Sequence, residues 1–315
     1  MKRALFDLHC DTALDLYTMG QSLLSNNRHI SLEKAERYSP YTQVTAIWAD
    51  NKKSDEECYD QFLAAAENLK KEVKANSDKV ALCENYTQAE KARNDKKVSF
   101  ILAVEDARIL AGDLTRLDLL YRHGVRFMTL TWSGQSCIGG AFNTDRPLTD
   151  FGKNVVKACF DIGIVPDISH SSEYVADEVS EIAKARALPF VATHSNAYSA
   201  YSHPRNIRER HIDAIKELGG VIGISLCPTH LCDAENNGCT VDDIMHHIDY
   251  YMSRGCENVL SLGCDLDGTD LPQGFEGIQD VYKIADEMAK HNYSDTLIEN
   301  IFFNNANNFI KNNLK

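Results

Sequence analysis

Residues able to hold a cation recur along this chain at wide intervals: His9-x-Asp11, Glu105, His170, His194 and Asp265. His9 and Asp11 stand two apart, and on an extended segment side chains i and i+2 share a face, so both can grip one ion. His170 and His194 offer neutral imidazoles that suit zinc, and Glu105 can bridge two ions with its two carboxylate oxygens. These five ligands, His9, Asp11, Glu105, His170 and His194, exceed what a closed four-coordinate structural site uses. They match two metals that share a carboxylate and a hydroxide, which implies metal-assisted hydrolysis. Asp265, in Leu262-Gly263-Cys264-Asp265-Leu266-Asp267-Gly268, can accept a proton from an activated water or join the ligands. Asp267-Gly268 reads as a turn. Arg205 has the fork geometry that suits a substrate carboxylate. Asp7, Asp106 and Asp167 are read as carboxylates that orient ligands or cap turns. The other histidines, His29, His123, His203, His211, His230, His246, His247 and His291, are assigned to solvent or packing.

Such distant residues can meet only if the fold gathers them. Short apolar or β-branched runs alternate with segments of helical spacing. Eight strands are expected: Ala4–Leu8, Gln43–Trp48, Val98–Val104, Arg126–Thr131, Ile164–Ile168, Pro189–Thr193, Gly220–Leu226 and Val259–Gly263. Between them lie helical patterns such as Asp55–Ala75, where Phe62, Ala66, Leu69 and Val73 share one face. Eight βα units joined by right-handed crossovers predict an α/β fold, a closed (β/α)₈ TIM-type barrel. An open doubly wound sheet would normally carry a Gly-rich turn after its first strand, and here that turn is His9-Cys10-Asp11-Thr12. In a parallel barrel every strand's C-terminal end opens on one face, and each candidate ligand follows such an end.

The chain has 315 residues, with 33 Lys and Arg against 46 Asp and Glu, for a formal net charge of −13. Its basic pairs, such as Lys70-Lys71 and Lys96-Lys97, sit beside acidic residues, which argues against a nucleic-acid surface. The longest apolar runs, Phe100–Val104 and Val221–Cys227, fall well short of the roughly 18 residues a bilayer helix needs. Met1-Lys2-Arg3 leads directly to Asp7, His9 and Asp11 instead of an apolar signal region, so a soluble, cytoplasmic protein with no membrane partner is expected. The ten cysteines are spread singly and are expected to be reduced, and Cys227, Cys232 and Cys239 lack Cys-x-x-Cys spacing. No linker or repeat divides the chain, so residues 1–315 read as one domain, with a homodimer as the base-rate assembly.

Several segments in order resemble the membrane dipeptidase (renal dipeptidase) family, zinc peptidases of the amidohydrolase-like barrels, and its soluble bacterial members in particular. They are Asp7-Leu8-His9-Cys10-Asp11-Thr12, Val104-Glu105, Gly124-Val125-Arg126-Phe127-Met128-Thr129-Leu130-Thr131, Asp167-Ile168-Ser169-His170-Ser171-Ser172, His194-Ser195-Asn196-Ala197-Tyr198-Ser199, Pro204-Arg205-Asn206-Ile207 and Gly263-Cys264-Asp265-Leu266-Asp267-Gly268. The resemblance implies two Zn²⁺ per chain, one held by His9, Asp11 and Glu105 and the other by Glu105, His170 and His194. It implies that Asp265 is the acid/base and that Arg205 binds the substrate's C-terminal carboxylate. The substrates implied are small dipeptides, including those with a C-terminal D-residue. Where the renal enzymes carry a His after the Leu-Thr-Leu-Thr strand, expected to help stabilise the reacting carbonyl, this chain has Trp132, whose indole N–H donates one hydrogen bond but cannot take up a proton. A hydrolase of the same barrel acting on cyclic amides, lactones or phosphoesters is the alternative, and a non-catalytic metal- or peptide-binding barrel is the other.

Overall fold

The computed structural model describes residues 2–233 and 238–315. Its strands are β1 (Arg3–Cys10), β2 (Tyr38–Trp48), β3 (Val80–Leu82), β4 (Val98–Glu105), β5 (Val125–Thr129), β6 (Val165–Asp167), β7 (Ile222–Ile224) and β8 (Leu260–Leu262). All pair in parallel, in the order β6-β5-β4-β2-β1-β8-β7, with β3 added beside β4. Between β6 and β7 lies the segment expected as the sixth strand, Pro189–Thr193. It is extended but makes only two parallel bridges, Asp167 with Val191 and Ala192 with Ile222. With it in place the parallel strands close a barrel, as expected for an (β/α)₈ fold. The unforeseen three-residue β3 lies outside that ring.

Helices cover the barrel because their apolar stripes match its outer face. Helix Asp55–Ala75 begins at a reciprocal Ser54/Glu57 capping box and buries Cys58, Phe62, Ala65, Ala66, Leu69 and Val73. Helices Asp150–Ile162, Glu173–Arg186 and Val241–Ser253 likewise start at Thr149, Ser172 and Thr240, whose side chains accept backbone N–H groups. Helices Thr12–Met19 and Tyr86–Asn94 were not anticipated. The chain closes with helix Asp295–Glu299, a π-turn at Asn300–Asn304 and helix Asn305–Asn313.

Strand register sets the functional rim. Trp48 pairs with Glu105, Glu105 with Thr129, and Thr129 with Asp167, so these four side chains stand at one level on neighbouring strands. The ten cysteines are free thiols. Among the described residues, no helix is long and apolar enough to cross a membrane.

Candidate metal centre

The strand ends deliver the ligand side chains to one place. His9 lies in β1 and Asp11 directly follows it, the Asp11 N–H bonding the Leu266 carbonyl while the Asp265 N–H bonds His9 O. The ends of β1 and β8 are thus interlocked. Glu105 is the last residue of β4. His170 and Asp265 each lie three residues beyond a strand in left-handed backbone, at φ 66° and 60°. Such positions are costly for non-glycine residues and persist where surrounding contacts enforce them.

Those contacts are visible. The buried Asp167 carboxylate accepts from Thr129 Oγ1 and Thr193 Oγ1, both at 2.6 Å, and from the N–H groups of Ser169 and Thr193, both at 2.9 Å. One carboxylate therefore fixes both turns that carry His170 and His194. Ser169 Oγ accepts the His194 N–H at 3.1 Å, and Thr193 Oγ1 lies 2.9 Å from His194 Nδ1. Asp7 accepts the Cys264 N–H at 2.7 Å, holding the turn of Asp265. Asp106 accepts the N–H groups of Arg108 and Trp132.

Within this frame Glu105 divides its oxygens. Oε2 lies 3.4 Å from His9 Nε2, whereas Oε1 lies 3.0 Å from His170 Nε2 and 3.3 Å from His194 Nε2. His9 Nε2 is also 3.6 Å from Asp11 Oδ2 and 3.9 Å from Asp265 Oδ1. Ligand atoms of His9, Glu105 and His194 form one group within 4.8 Å of each other, and those of His9, Asp11 and Asp265 form a second. The structure thus brings all five expected ligands and Asp265 together.

The donor set fits cations. His9 Nε2 and Asp11 Oδ1 are buried without a hydrogen-bond partner, which is costly unless another group satisfies them. Gly268 leaves the cradle open, since a Cβ there would stand 2.1 Å from Asp11 Oδ2 and 2.5 Å from Asp265 Oδ1. Burial pushes the imidazoles of His170, to about 4, and His194 downward, with Arg205's charge adding to both, so they are neutral and free to ligate. Burial would raise Glu105, but His9 and the other two imidazoles outweigh it and hold the carboxyl well below its usual range. Asp265 is pushed up to about 6, chiefly by burial, with His9 opposing the rise and Glu105 adding to it.

These groups open onto a cavity of about 640 Å³, into which Asp11, Glu105, His170 and Asp265 face beside Trp48, Trp132, Phe142 and His230. Trp132 meets Trp48 edge-on at 4.7 Å between ring centroids, and lies 6.3 Å from His170. Arg205 is placed differently from an open loop residue. It is 3% exposed, donates to Ser195 Oγ at 3.2 Å and to His194 O at 3.1 Å, and is not among the cavity-lining side chains. His230, read from the sequence as a solvent or packing residue, lines the cavity and packs its ring against His203 at 5.0 Å between centroids. Trp48, Phe142 and His230 line the cavity and were not singled out in the sequence, where the signal available was position for two of them, Trp48 ending β2 and His230 following β7.

A parallel barrel with a buried His/Asp/Glu cluster on its C-terminal rim defines an amidohydrolase-like, metal-dependent hydrolase architecture. The family model described as membrane dipeptidase (peptidase family M19) matches residues 1–313. The chain belongs to this family of dipeptidases and metallopeptidases. Similar solved structures include a dipeptidase described as a family M19 metallopeptidase, with a TM-score of 0.93 and 22% identity over 100% of this chain and 99% of that one. A Rhodobacter sphaeroides metallopeptidase, bound to a phosphinate mimic of L-Ala-D-Ala, has a TM-score of 0.91 and 22% identity over 100% of both chains. Among curated relatives, dipeptidase verJ of Clonostachys rogersoniana is 30% identical over 73% of this chain, but the match spans only 59% of that protein. An uncharacterized Klebsiella pneumoniae protein from the pqqA 5' region is 26% identical over 78% of this chain and 93% of its own length.

Proposed function

We propose that this protein is a binuclear zinc dipeptidase that hydrolyses small dipeptides, those with a C-terminal D-residue among them. The observation that carries the reading is the split of Glu105, one oxygen toward His9 and the other toward His170 and His194. His9, Asp11 and Glu105 would hold one Zn²⁺, and Glu105, His170 and His194 the second. Bound there, the two ions would lower the pKa of the attacking water and polarise the scissile carbonyl.

The chain's own groups do the rest. Asp265, whose Oδ1 lies 3.9 Å from His9 Nε2, accepts the water's proton and returns it to the departing amine. Arg205 supplies fixed positive charge from behind His194 for the substrate's C-terminal carboxylate, which restricts the site to short substrates. Trp132 and Trp48 form the apolar wall beside His170, and the Trp132 indole N–H is a donor that keeps its proton at every working pH. The phosphinate mimic of L-Ala-D-Ala bound to the Rhodobacter sphaeroides metallopeptidase supports the substrate class.

The test is amino-acid release from L-Ala-L-Ala and L-Ala-D-Ala by zinc-reconstituted protein, with a chelated aliquot and a metal count in parallel. Metal-dependent release at two zinc ions per chain is expected. No release from fully loaded protein would overturn the dipeptidase reading in favour of a cyclic-amide, lactone or phosphoester hydrolase.

A further inference from the structure

Metal-capable side chains also gather away from the barrel rim. Among the described residues, ligand atoms of Cys232, Cys239 and Asp243 lie within 4.8 Å of one another, and none of the three lines the rim cavity. Their spacing is not the Cys-x-x-Cys of a zinc knuckle, so the fold alone unites them. Cys232 follows the short helix Pro228–Leu231 after β7. Cys239 precedes Thr240, the N-cap of helix Val241–Ser253, and Asp243 lies in that helix's first turn. Both cysteines are free thiols, Cys239 buried and Cys232 half-buried, so the group is reached from solvent on the Cys232 side.

Each of the three sits on held backbone. The Cys232 N–H bonds Pro228 O at 3.2 Å, and the Cys239 carbonyl accepts the Gln273 N–H at 2.8 Å. Asp243 Oδ2 accepts the Thr240 N–H at 2.8 Å in a reciprocal capping box. The capping bonds to Thr240 use only Oδ2, which leaves Oδ1 for a ligand bond. Tetrahedral ligands at about 2.0–2.3 Å from a zinc ion stand about 3.4–3.8 Å apart, so closing this group around one ion takes shifts of about 1 Å or less. A disulfide would make a different demand. It needs two sulfurs, gains nothing from a carboxylate beside them, and forms through a thiolate. Here burial first, with Asp243 among the lesser causes, pushes both thiols up, which disfavours that thiolate. A cation reverses the balance, because two thiolates and a carboxylate set three anionic ligands around its double positive charge.

We propose that Cys232, Cys239 and Asp243 bind one thiophilic divalent cation of the zinc class, a metal clip that ties the turn after β7 to the first turn of helix Val241–Ser253 and leaves the fourth ligand position to water. Binding exchanges protons for the ion: two S–H groups and one carboxylate become two S–metal bonds and one O–metal bond, and two protons pass to solvent. The clip shares no ligand with the rim, so its ion is counted beyond the two proposed there. The test titrates the reduced, chelated full chain with Co²⁺ and follows the sulfur-to-cobalt charge-transfer absorbance. The rim ligands carry no sulfur, so the band reports the clip alone. Wild type should show the band with one thiolate-bound ion per chain, and calorimetry in buffers of differing protonation enthalpy should find about two protons released with it. The Cys232→Ser/Cys239→Ser protein should lack the band, hold one zinc fewer than wild type when zinc-loaded, and turn over L-Ala-D-Ala within about threefold of wild type. Asp243→Asn should keep the band but weaken cobalt binding at the clip about tenfold or more, as loss of an anionic ligand requires. No band in reduced wild type, equal zinc counts in wild type and the double variant, or unchanged affinity in Asp243→Asn would each overturn the proposal. So would a Cys232–Cys239 disulfide formed with glutathione disulfide in a protein whose reduced form takes up no cobalt on sulfur. If wild type turns over no dipeptide, the dipeptidase reading fails, and the band and the zinc count still decide the clip.

Discussion

Asp265 stands in left-handed backbone at φ 60°, beside His9, with burial pushing its carboxyl up to about 6. A carboxylate at that position can take a proton from the attacking water and return it, the role a general acid/base fills. Asparagine tolerates the same backbone conformation but cannot carry the proton. Asp265→Asn should therefore lower kcat about a hundredfold or more with KM changed only a few-fold. Steady-state kinetics with a metal count check this, and full kcat would remove Asp265 from proton transfer. The candidate ligands were legible in the sequence because few side chains bind metals and each of these falls at or just beyond a strand's C-terminal end. Trp48, Phe142 and His230 were not. A cavity wall depends on the path of the loops after the strands, which residue type and spacing do not encode, and an isolated His such as His230 offers no signal beyond its place after β7.

At the level of elements, the alternation of strands and helices revealed the barrel, and apolar spacing located Asp55–Ala75 to its ends. The strand β3 escaped because three residues, Val80–Leu82, are too few to show a period. The sixth strand was anticipated, yet it pairs only through Val191 and Ala192. Pro189 has no N–H to give, and glycines bring neighbouring backbone against Thr193 O: a Cβ at Gly223 would lie 1.9 Å from that oxygen, and one at Gly263 1.7 Å. Gly223→Ala must shift Thr193 and with it His194. We expect a loss of about 2–3 kcal/mol, or roughly 5–10 °C in Tm, by scanning fluorimetry, with weaker zinc uptake; an unchanged Tm would show that the segment yields freely. Helix Val241–Ser253 makes a separate prediction through His247, whose Nδ1 faces the Ala197 N–H and whose Nε2 faces Leu231 O. Burial lowers its pKa to about 4. Above pH 6.5 the ring is neutral in folded and unfolded chains, and its contribution is complete. Between 6.5 and 4 only the unfolded chain takes up the proton, so stability falls with pH by up to about 1.4 kcal/mol per pH unit, and below 4 the loss levels off. Urea melts across this range should show a shallower slope in His247→Gln than in wild type.

Across the whole molecule, the candidate ligands and Asp265 join points far apart in the chain, from His9 to Asp265, on five positions around one barrel rim. A cation held there acts as a cross-link whose closure the unfolded chain lacks. It also answers a charge problem: the chain carries a net −13, and the rim concentrates Asp11, Glu105 and Asp265 in a buried space. Burial, and next the charge of Glu105, push the Asp11 carboxyl well above its usual range, so without a cation these groups oppose one another. Metal should therefore stabilise the whole barrel. A ligand at a thousandfold its Kd adds about 4 kcal/mol. At roughly 2–4 °C per kcal/mol for a large domain, exhaustive chelation should lower Tm by about 10 °C, and added zinc should restore it. Calorimetric scans of loaded and chelated protein, with metal content measured in each, check this. An unchanged Tm after complete metal removal would mean that the hydrogen bonds of Asp7 and Asp167 hold the rim unaided.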